Sequence, residues 1–242
     1  MPKIPKLIGT IVKTAWSKMF VTVVVTQKEQ LANGLLRIRF EADLSNAKYE
    51  IGQAILMQIS DTEYRNYTPS IFNKEEGYFD VIFHQKAKGP GTTFFKNITV
   101  GTELTSSLPR GLNIYDENTY YHFFYGDDTC IGFCQALQEE MKKNNHKLEG
   151  LLELSNHSIP YANDHLPHME YIEKSDDKEV YPAVDYLESI DTYRWNKLVH
   201  GQFYLMGNGK SIQKFRKALR AKGVSSNNII TQPFWVEGKI GL

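Results

Sequence analysis

The sequence predicts a two-domain protein, a small antiparallel β barrel followed by a parallel α/β sheet. Three observations carry this. Short strand-like runs, punctuated by Gly34, Gly52 and Gly77, fill the chain from Val21 to Ser107. Near Asn118 the rhythm changes to strands alternating with helices. A length of 242 residues suits one large domain or two small ones. The division expected is residues 1–117 and residues 118–242.

The barrel strands come first. Val21–Thr26, Leu35–Phe40, Ala54–Ile59 and Tyr78–His84 are rich in β-branched, aliphatic and aromatic residues. Leu36, Ile38 and Phe40 alternate with Arg37 and Arg39, which gives that strand one buried face and fixes its register. Val23 to Val25 does not alternate, so its register stays open. Thr102–Ser107 is one more strand, and several short strands with one capped helix suggest a small antiparallel barrel.

In the second half, Tyr120–Tyr125 is an apolar strand, then come Gly126-Asp127-Asp128-Thr129 and a helix from Cys130 to Lys143. Leu148–Leu154 and Gln202–Met206 are strands. Gly207-Asn208-Gly209 leads into a helix from about Ser211 to Ala221, and Ile229–Val236 is the last strand. Asn156 to Asp177 is polar and reads as a loop.

Before the first strand, Lys3, Lys6, Lys13 and Lys18 are mixed with apolar residues at near-helical spacing, and no acid appears before Glu29. Two readings stand. The segment is a helix packed on the barrel, which we favour, or a basic amphipathic helix lying on a membrane surface. Lys13 and Lys18 interrupt the apolar core a signal peptide needs. No apolar run is long enough to span a bilayer.

Composition narrows the function. Net charge is zero, which argues against nucleic acid as a partner. Cys130 and Cys134 fall on one face of the expected helix, so a disulfide framework is not expected. A reducing, cytoplasmic setting is. Two cysteines also exclude an all-cysteine iron–sulfur cluster. The histidines form no metal set: His165 and His168 flank Pro167, and no carboxylate spacing completes a known site.

The chemistry-bearing residues begin at Arg65-Asn66-Tyr67-Thr68. Strand alternation puts Arg65 and Tyr67 on one face. A guanidinium matches phosphate oxygens by a planar fork. A tyrosine ring offers a flat face to an isoalloxazine, and a threonine presents a hydrogen bond near the reactive edge of such a ring. The bland alternative is an exposed strand ending in a turn at Pro69. Gly89-Pro90-Gly91-Thr92-Thr93-Phe94-Phe95 reads as a glycine loop entering a short helix that Thr92 or Thr93 caps. The first free N–H groups of such a helix bind phosphate, although a capped surface helix would look the same. Together the two stretches suit a dinucleotide with a pyrophosphate.

With these residues the chain resembles the siderophore-interacting, FAD-binding branch of the ferredoxin reductase-like flavoproteins. That branch carries an R-x-Y-T stretch, a strand ending in His, a G-P-x-[ST] helix start, a P-R-G turn and an aromatic-Trp-x-x-Gly ending. Here they are Arg65-Asn66-Tyr67-Thr68, Phe83-His84, Gly89-Pro90-Gly91-Thr92, Pro109-Arg110-Gly111 and Phe234-Trp235-Val236-Glu237-Gly238, in the same order. There are two departures. Ser70 stands where the family usually has a second basic residue, and Leu108 precedes the proline of the P-R-G turn.

The resemblance implies a six-stranded antiparallel FAD-binding barrel and a nicotinamide-coenzyme domain. It implies that Arg65, Tyr67, Thr68, His84, Gly89, Gly91, Thr92, Thr93 and Trp235 hold FAD, with Tyr67 and Thr68 nearest the chemistry. Trp235 either stacks over the flavin or packs against the sheet. A half-buried strand-end residue is the other reading of His84. NAD(P)H or ferredoxin would supply electrons, and a ferric siderophore would receive them. Lys88, Arg110 and Lys239 adjoin the motifs and are candidates to dock an anionic chelate. A general flavin or quinone oxidoreductase and a non-enzymatic siderophore-binding module are the alternatives.

Support for the coenzyme in the second half is thinner. Gly126 to Thr129 lies where a phosphate loop belongs but lacks G-x-G-x-x-G. Asp127 and Asp128 would repel a pyrophosphate unless turned away, and Asp128 serves equally well as a helix cap. Gly207-Asn208-Gly209-Lys210-Ser211 is not a P-loop, because Tyr204 stands where that pattern needs glycine. It reads as a turn at the rim of a coenzyme crevice, where Lys210 could meet a phosphate, or as plain helix capping.

Overall fold

The alternation of Leu36, Ile38 and Phe40 governs the first unit. All three are buried in the barrel core with Val23, Val25, Met57, Phe79 and Val81. The computed structural model describes residues 20–85, 89–174 and 181–238. The expected N-terminal helix, Lys88 and Lys239 lie outside them. The chain divides into two compact units between Tyr115 and Asp116.

The first unit holds β1 (Phe20–Ala32), β2 (Leu35–Glu41), β3 (Ile55–Gln58), β4 (Tyr64–Tyr67), β5 (Ile71–Asn73), β6 (Tyr78–His84), helix α1 (Pro90–Asn97) and β7 (Glu103–Ser107). They make one antiparallel sheet in the order β4-β3-β7-β1-β2-β6-β5. The sheet has seven strands where six were expected, because the short β4 and β5 are separate strands. Its two edges, β4 and β5, are joined by only Thr68-Pro69-Ser70. Flat, the edges would be about 29 Å apart at about 4.8 Å per strand. That link spans at most about 14 Å. The sheet therefore has to curl.

Val23 and Val25 are fully buried and Thr22 is exposed, so β1 does alternate where the sequence left its register open. Valine on both faces hid the pattern: Val24 is half-buried and pairs with both β2 and β7. Register shifts between Val25 and Gln27 and between Gln30 and Ala32 bend the strand. On the outer face, Arg39 forks onto the fully buried Asp80 of β6 (2.7 and 3.0 Å) and covers the Tyr78 ring at 3.8 Å.

The second unit alternates β8 (Tyr121–Asp127), α2 (Ile131–Lys143), β9 (Lys147–Leu154), α3 (Ile159–His165), β10 (Met169–Glu173), α4 (Pro182–Ser189), α5 (Thr192–Leu198), β11 (Gln202–Asn208), α6 (Gly209–Ala221) and β12 (Ile229–Trp235). The sheet is parallel, in the order β10-β9-β8-β11-β12. The order reverses direction between β8 and β11, which makes their carboxyl ends the switch point of the sheet. β8 and β11 are buried on both faces, hence their near-continuous apolar runs. Asn156 to Asp177 was expected to be a loop, yet it contains α3 and β10. Their burial is supplied by tertiary partners: Ala162, Leu166 and Met169 are in the core, and the Tyr171 hydroxyl donates to the carbonyl of Ala162 (2.8 Å). Cys130 and Cys134 are free and fully buried.

Candidate functional site

Strand β4 is the hub of the first unit. It pairs with β3 so that Arg65 faces Met57 and Tyr67 faces Ile55, which puts the arginine and the tyrosine on the same side of the sheet. Helix α1 lies against that side. A Cβ on Gly91 would sit 2.3 Å from Tyr67 Oη and 3.5 Å from Arg65 Cγ. The helix backbone is therefore flush with both side chains, and no larger residue fits at that position.

The aromatic residues fix this approach. Phe95 of α1 stacks on Phe83 of β6 (4.2 Å between ring centroids), and Tyr67 meets both edge-on, at 4.8 and 5.1 Å. Burial pushes the Tyr67 phenol well above its ordinary range, outweighing the opposing charge of Arg65. Its hydroxyl is a neutral hydrogen-bonding group at working pH.

The helix start differs from expectation in one respect. Gly89, not a threonine, is the N-cap, and Pro90 occupies the first position. Thr92 and Thr93 lie inside the first turn, where Thr93 bonds back to the Gly89 carbonyl through both N (3.1 Å) and Oγ1 (3.2 Å). Proline pre-sets the helical φ and has no N–H to satisfy, which made a threonine cap unnecessary. The N–H groups of Gly91 and Thr92 have no acceptor within the helix. At the other end, Lys28 Nζ donates to the carbonyls of Lys96 (2.7 Å) and Ile98 (2.8 Å) and ties the helix to β1.

Arg65 donates to the Tyr64 carbonyl (2.8 Å) and lies 3.5 Å from Glu63. A guanidinium has more donors than these contacts use. Asn66, on the opposite face of β4, accepts from Arg110 Nη2 (3.0 Å). Arg110 also bridges to Ala54, and its Nε is buried without a hydrogen bond. Burial lowers its pKa from the ordinary arginine value. Thr68 follows β4 at half burial, and Ser70 ties that turn down: its N and Oγ donate to the Asp80 carbonyl (2.8 and 3.1 Å). Ser70 is buried, so the position that is basic in the family serves here as a packing point. His84 ends β6 opposite Leu35, half-buried.

The donor set fits a pyrophosphate dinucleotide. A flush glycine backbone, a helix start and a partly engaged arginine meet along one side of β4. The structure thus brings together Arg65, Tyr67 and Gly91, with Thr92 next to Gly91 in the helix start. Gly89 and Thr93 belong to the same turn, and Arg110 joins from the other face of the strand.

The carboxyl edge of the second sheet is built differently. Asp127 caps the turn after β8, a role the sequence had offered to Asp128. Its Oδ1 accepts from Thr129 N (2.9 Å) and Thr129 Oγ1 (2.5 Å). Its Oδ2 accepts from Asn208 N (2.9 Å) and Trp235 Nε1 (2.8 Å). Gly207 has φ 98°, and a Cβ there would lie 2.5 Å from Asp127 Oδ2, so only glycine admits the carboxylate. Asp128 turns to Ser155, taking its Oγ at 2.9 Å. Asn208 caps α6 by accepting from Lys210 N (2.8 Å) and Ser211 N (3.3 Å). The ammonium of Lys210 lies 3.6 Å from Glu237. Lys174 Nζ lies 4.9 Å from the centre of the Trp235 ring. Within its unit Trp235 is thus a hydrogen-bonded end of β12.

Sequence reasoning did not find Asp127 as a hub, because the Asn208 and Trp235 donors lie 81 and 108 positions away in the chain. The Asn208 cap was readable, as Asn directly before a helical run. The Asn66–Arg110 pair left no signal. Among the described residues no cluster of His, Cys, Asp and Glu could hold a metal ion, and no helix is long and apolar enough to cross a membrane.

Residues 22–115 match the family of oxidoreductase FAD-binding domains. No curated protein matches the chain by sequence. Several solved structures share its two-unit fold. A siderophore utilization protein from T. fusca is 14% identical with a TM-score of 0.77, over 92% of this chain and 95% of that one. The siderophore-interacting protein SipS from Aeromonas hydrophila is 18% identical with a TM-score of 0.72, over 91% and 93%. Phthalate dioxygenase reductase is 11% identical with a TM-score of 0.74, over 93% and 71%. At these identities the structural likeness is one of fold. With the FAD-binding-domain match over residues 22–115, it bears out the two-unit, ferredoxin reductase-like fold that the motifs implied.

Proposed function

We propose that this FAD-binding oxidoreductase fold reduces ferric siderophores and so releases ferrous iron. One observation carries the cofactor half of this reading: Gly91 at the start of α1 lies flush against Arg65 and Tyr67 on β4. In that cradle the N–H groups of Gly91 and Thr92 and the Arg65 guanidinium would hold the pyrophosphate of FAD. Tyr67, kept neutral by burial, and Thr68 would position the ring, with His84 at its border. When bound, FAD supplies a carrier that takes two electrons and gives them up singly. Ferric iron is held by hard oxygen donors, and the lower charge of ferrous iron loosens that hold.

The acceptor half rests on the family resemblance and on the siderophore-named structures of like fold. An anionic chelate would dock near Arg110, with Lys88 and Lys239 as further candidate contacts. NAD(P)H or ferredoxin is the expected donor, Trp235 a further candidate contact to the flavin, and the cytoplasm the expected setting.

An absorbance spectrum of the purified protein tests this directly. Flavin bands that bleach with dithionite under anaerobic conditions and return on adding a ferric siderophore are the expected result. A colourless protein that takes up no added FAD would overturn the cofactor assignment. A reduced flavin that a ferric siderophore leaves bleached would overturn the acceptor.

A further inference from the structure

In an open parallel sheet, ligands bind outside the carboxyl ends of the strands at the switch point, and phosphates bind there through converging N–H groups. In the second unit that point lies between β8 and β11. Converging donors are present there: Thr129 N, Thr129 Oγ1, Asn208 N and Trp235 Nε1. They come from the ends of β11 and β12 and from the turn leading to α2, and all four point at one carboxylate, that of Asp127 at the end of β8.

We infer that Asp127 is a built-in anion. Its carboxylate fills the anion position of the α/β unit, so a dinucleotide pyrophosphate has no seat at this switch point. Three further features close the position. Gly207 is shaped to admit the carboxylate, with its missing Cβ 2.5 Å from Oδ2. The first N–H groups of α6, the second helix start on this edge, go to the Asn208 side chain. The nearest lysine of that helix start, Lys210, faces Glu237. A pyrophosphate brought here would meet Asp127 and Asp128, both buried. Their charges repel it.

This inference rests on the FAD reading above and deepens it on the donor side. A donor that needs no phosphate anchor fits such a unit, which means an electron-carrier protein. Two reduced one-electron carriers supply the two electrons that a hydride would bring, and the proton comes from water.

The test is chemical rescue of Asp127→Ala in the full FAD-loaded chain. If Asp127 is a resident anion, its removal leaves a hole lined by four donors. The variant then melts at a lower temperature than wild type, and formate restores more of the loss than chloride at equal ionic strength. Wild type responds alike to both salts. A folded variant that formate and chloride shift equally would overturn the proposal.

Should the variant not fold, wild type still decides. Anaerobic bleaching of the flavin is followed against NADH and NADPH concentration. Rates that rise linearly to about 1 mM, without saturating, match a unit with no coenzyme seat. Saturation in the micromolar range would overturn it. Reoxidation of the dithionite-reduced protein by a ferric siderophore is read separately, so failure here and failure of the reductase reading are distinguishable.

Discussion

The two units use the same vocabulary at their candidate sites to opposite effect. Each sets a glycine-bearing turn before a helix, with polar side chains around it. On β4 and α1 of the barrel the cap is a glycine, the first residue is a proline, and the arginine opposite is partly engaged. At the edge of the α/β sheet, the carboxylates of Asp127 and Asp128 and the Asn208 side chain take up the donors themselves. A helix start binds an external anion when its donors lack an internal acceptor. Glycine and proline bring no acceptor with them, whereas Asp and Asn do.

The largest expected effect breaks the comparison from the barrel side. Arg65→Ala removes the charged donor of the cradle. Hydrogen bonds to charged groups contribute about 1.5–3 kcal/mol, so FAD affinity should fall by roughly 10- to 150-fold. The apo variant titrated with FAD by fluorescence quenching gives the number. Unchanged affinity would mean that β4 does not carry the pyrophosphate.

Gly91→Ala comes next. The new methyl overlaps Tyr67 Oη, and overpacking costs about 1–3 kcal/mol. FAD should bind roughly 5- to 150-fold more weakly. Adding Tyr67→Phe removes the hydroxyl that the methyl meets, so the double variant should bind FAD better than Gly91→Ala alone. If the second change only adds to the first, the flush contact does not set the affinity.

The smallest effect sharpens the comparison from the other unit. His122 is fully buried in β8, between the Thr119 carbonyl (2.6 Å) and Tyr204 Oη (3.1 Å). Burial lowers its pKa from 6.5 to about 4, with the nearby His146 adding to the shift and a hydrogen bond to Thr119 opposing it. The unfolded imidazole takes its proton near pH 6.5 and the folded one resists until about pH 4. Stability from this group is therefore complete above pH 6.5 and is lost as pH falls through that window. Urea midpoints from pH 7.5 to 4.5, with His122→Gln as control, should show a drop in wild type that flattens in the variant. Equal slopes in the two proteins would assign the drop elsewhere.

Much of the barrel was legible because its signals are local. The alternation of Leu36, Ile38 and Phe40 fixed a face and a register, and glycines marked turns. The R-N-Y strand and the G-P-G-T turn were each visible as chemistry in a handful of adjacent residues. The α3–β10 segment was not legible, because its polar surface conceals a few core positions that only packing reveals. The cap at Gly89 was not legible, because Thr92 and Thr93 are themselves capping residues while a glycine leaves no side-chain signal.

By itself, then, the sequence determined which chemical groups this protein owns and the rhythm of the strands and helices that hold them. Periodicity and turn chemistry act between neighbours a few residues apart, and they survive in one dimension. Tertiary structure decided which of those groups remain free. Gly91 meets Tyr67 and Arg65 across 24 and 26 positions of chain, while Asp127 meets Asn208 and Trp235 across 81 and 108. Whether a donor faces outward or is satisfied from within depends on such distant partners, and their distances exist only once the sheets are assembled.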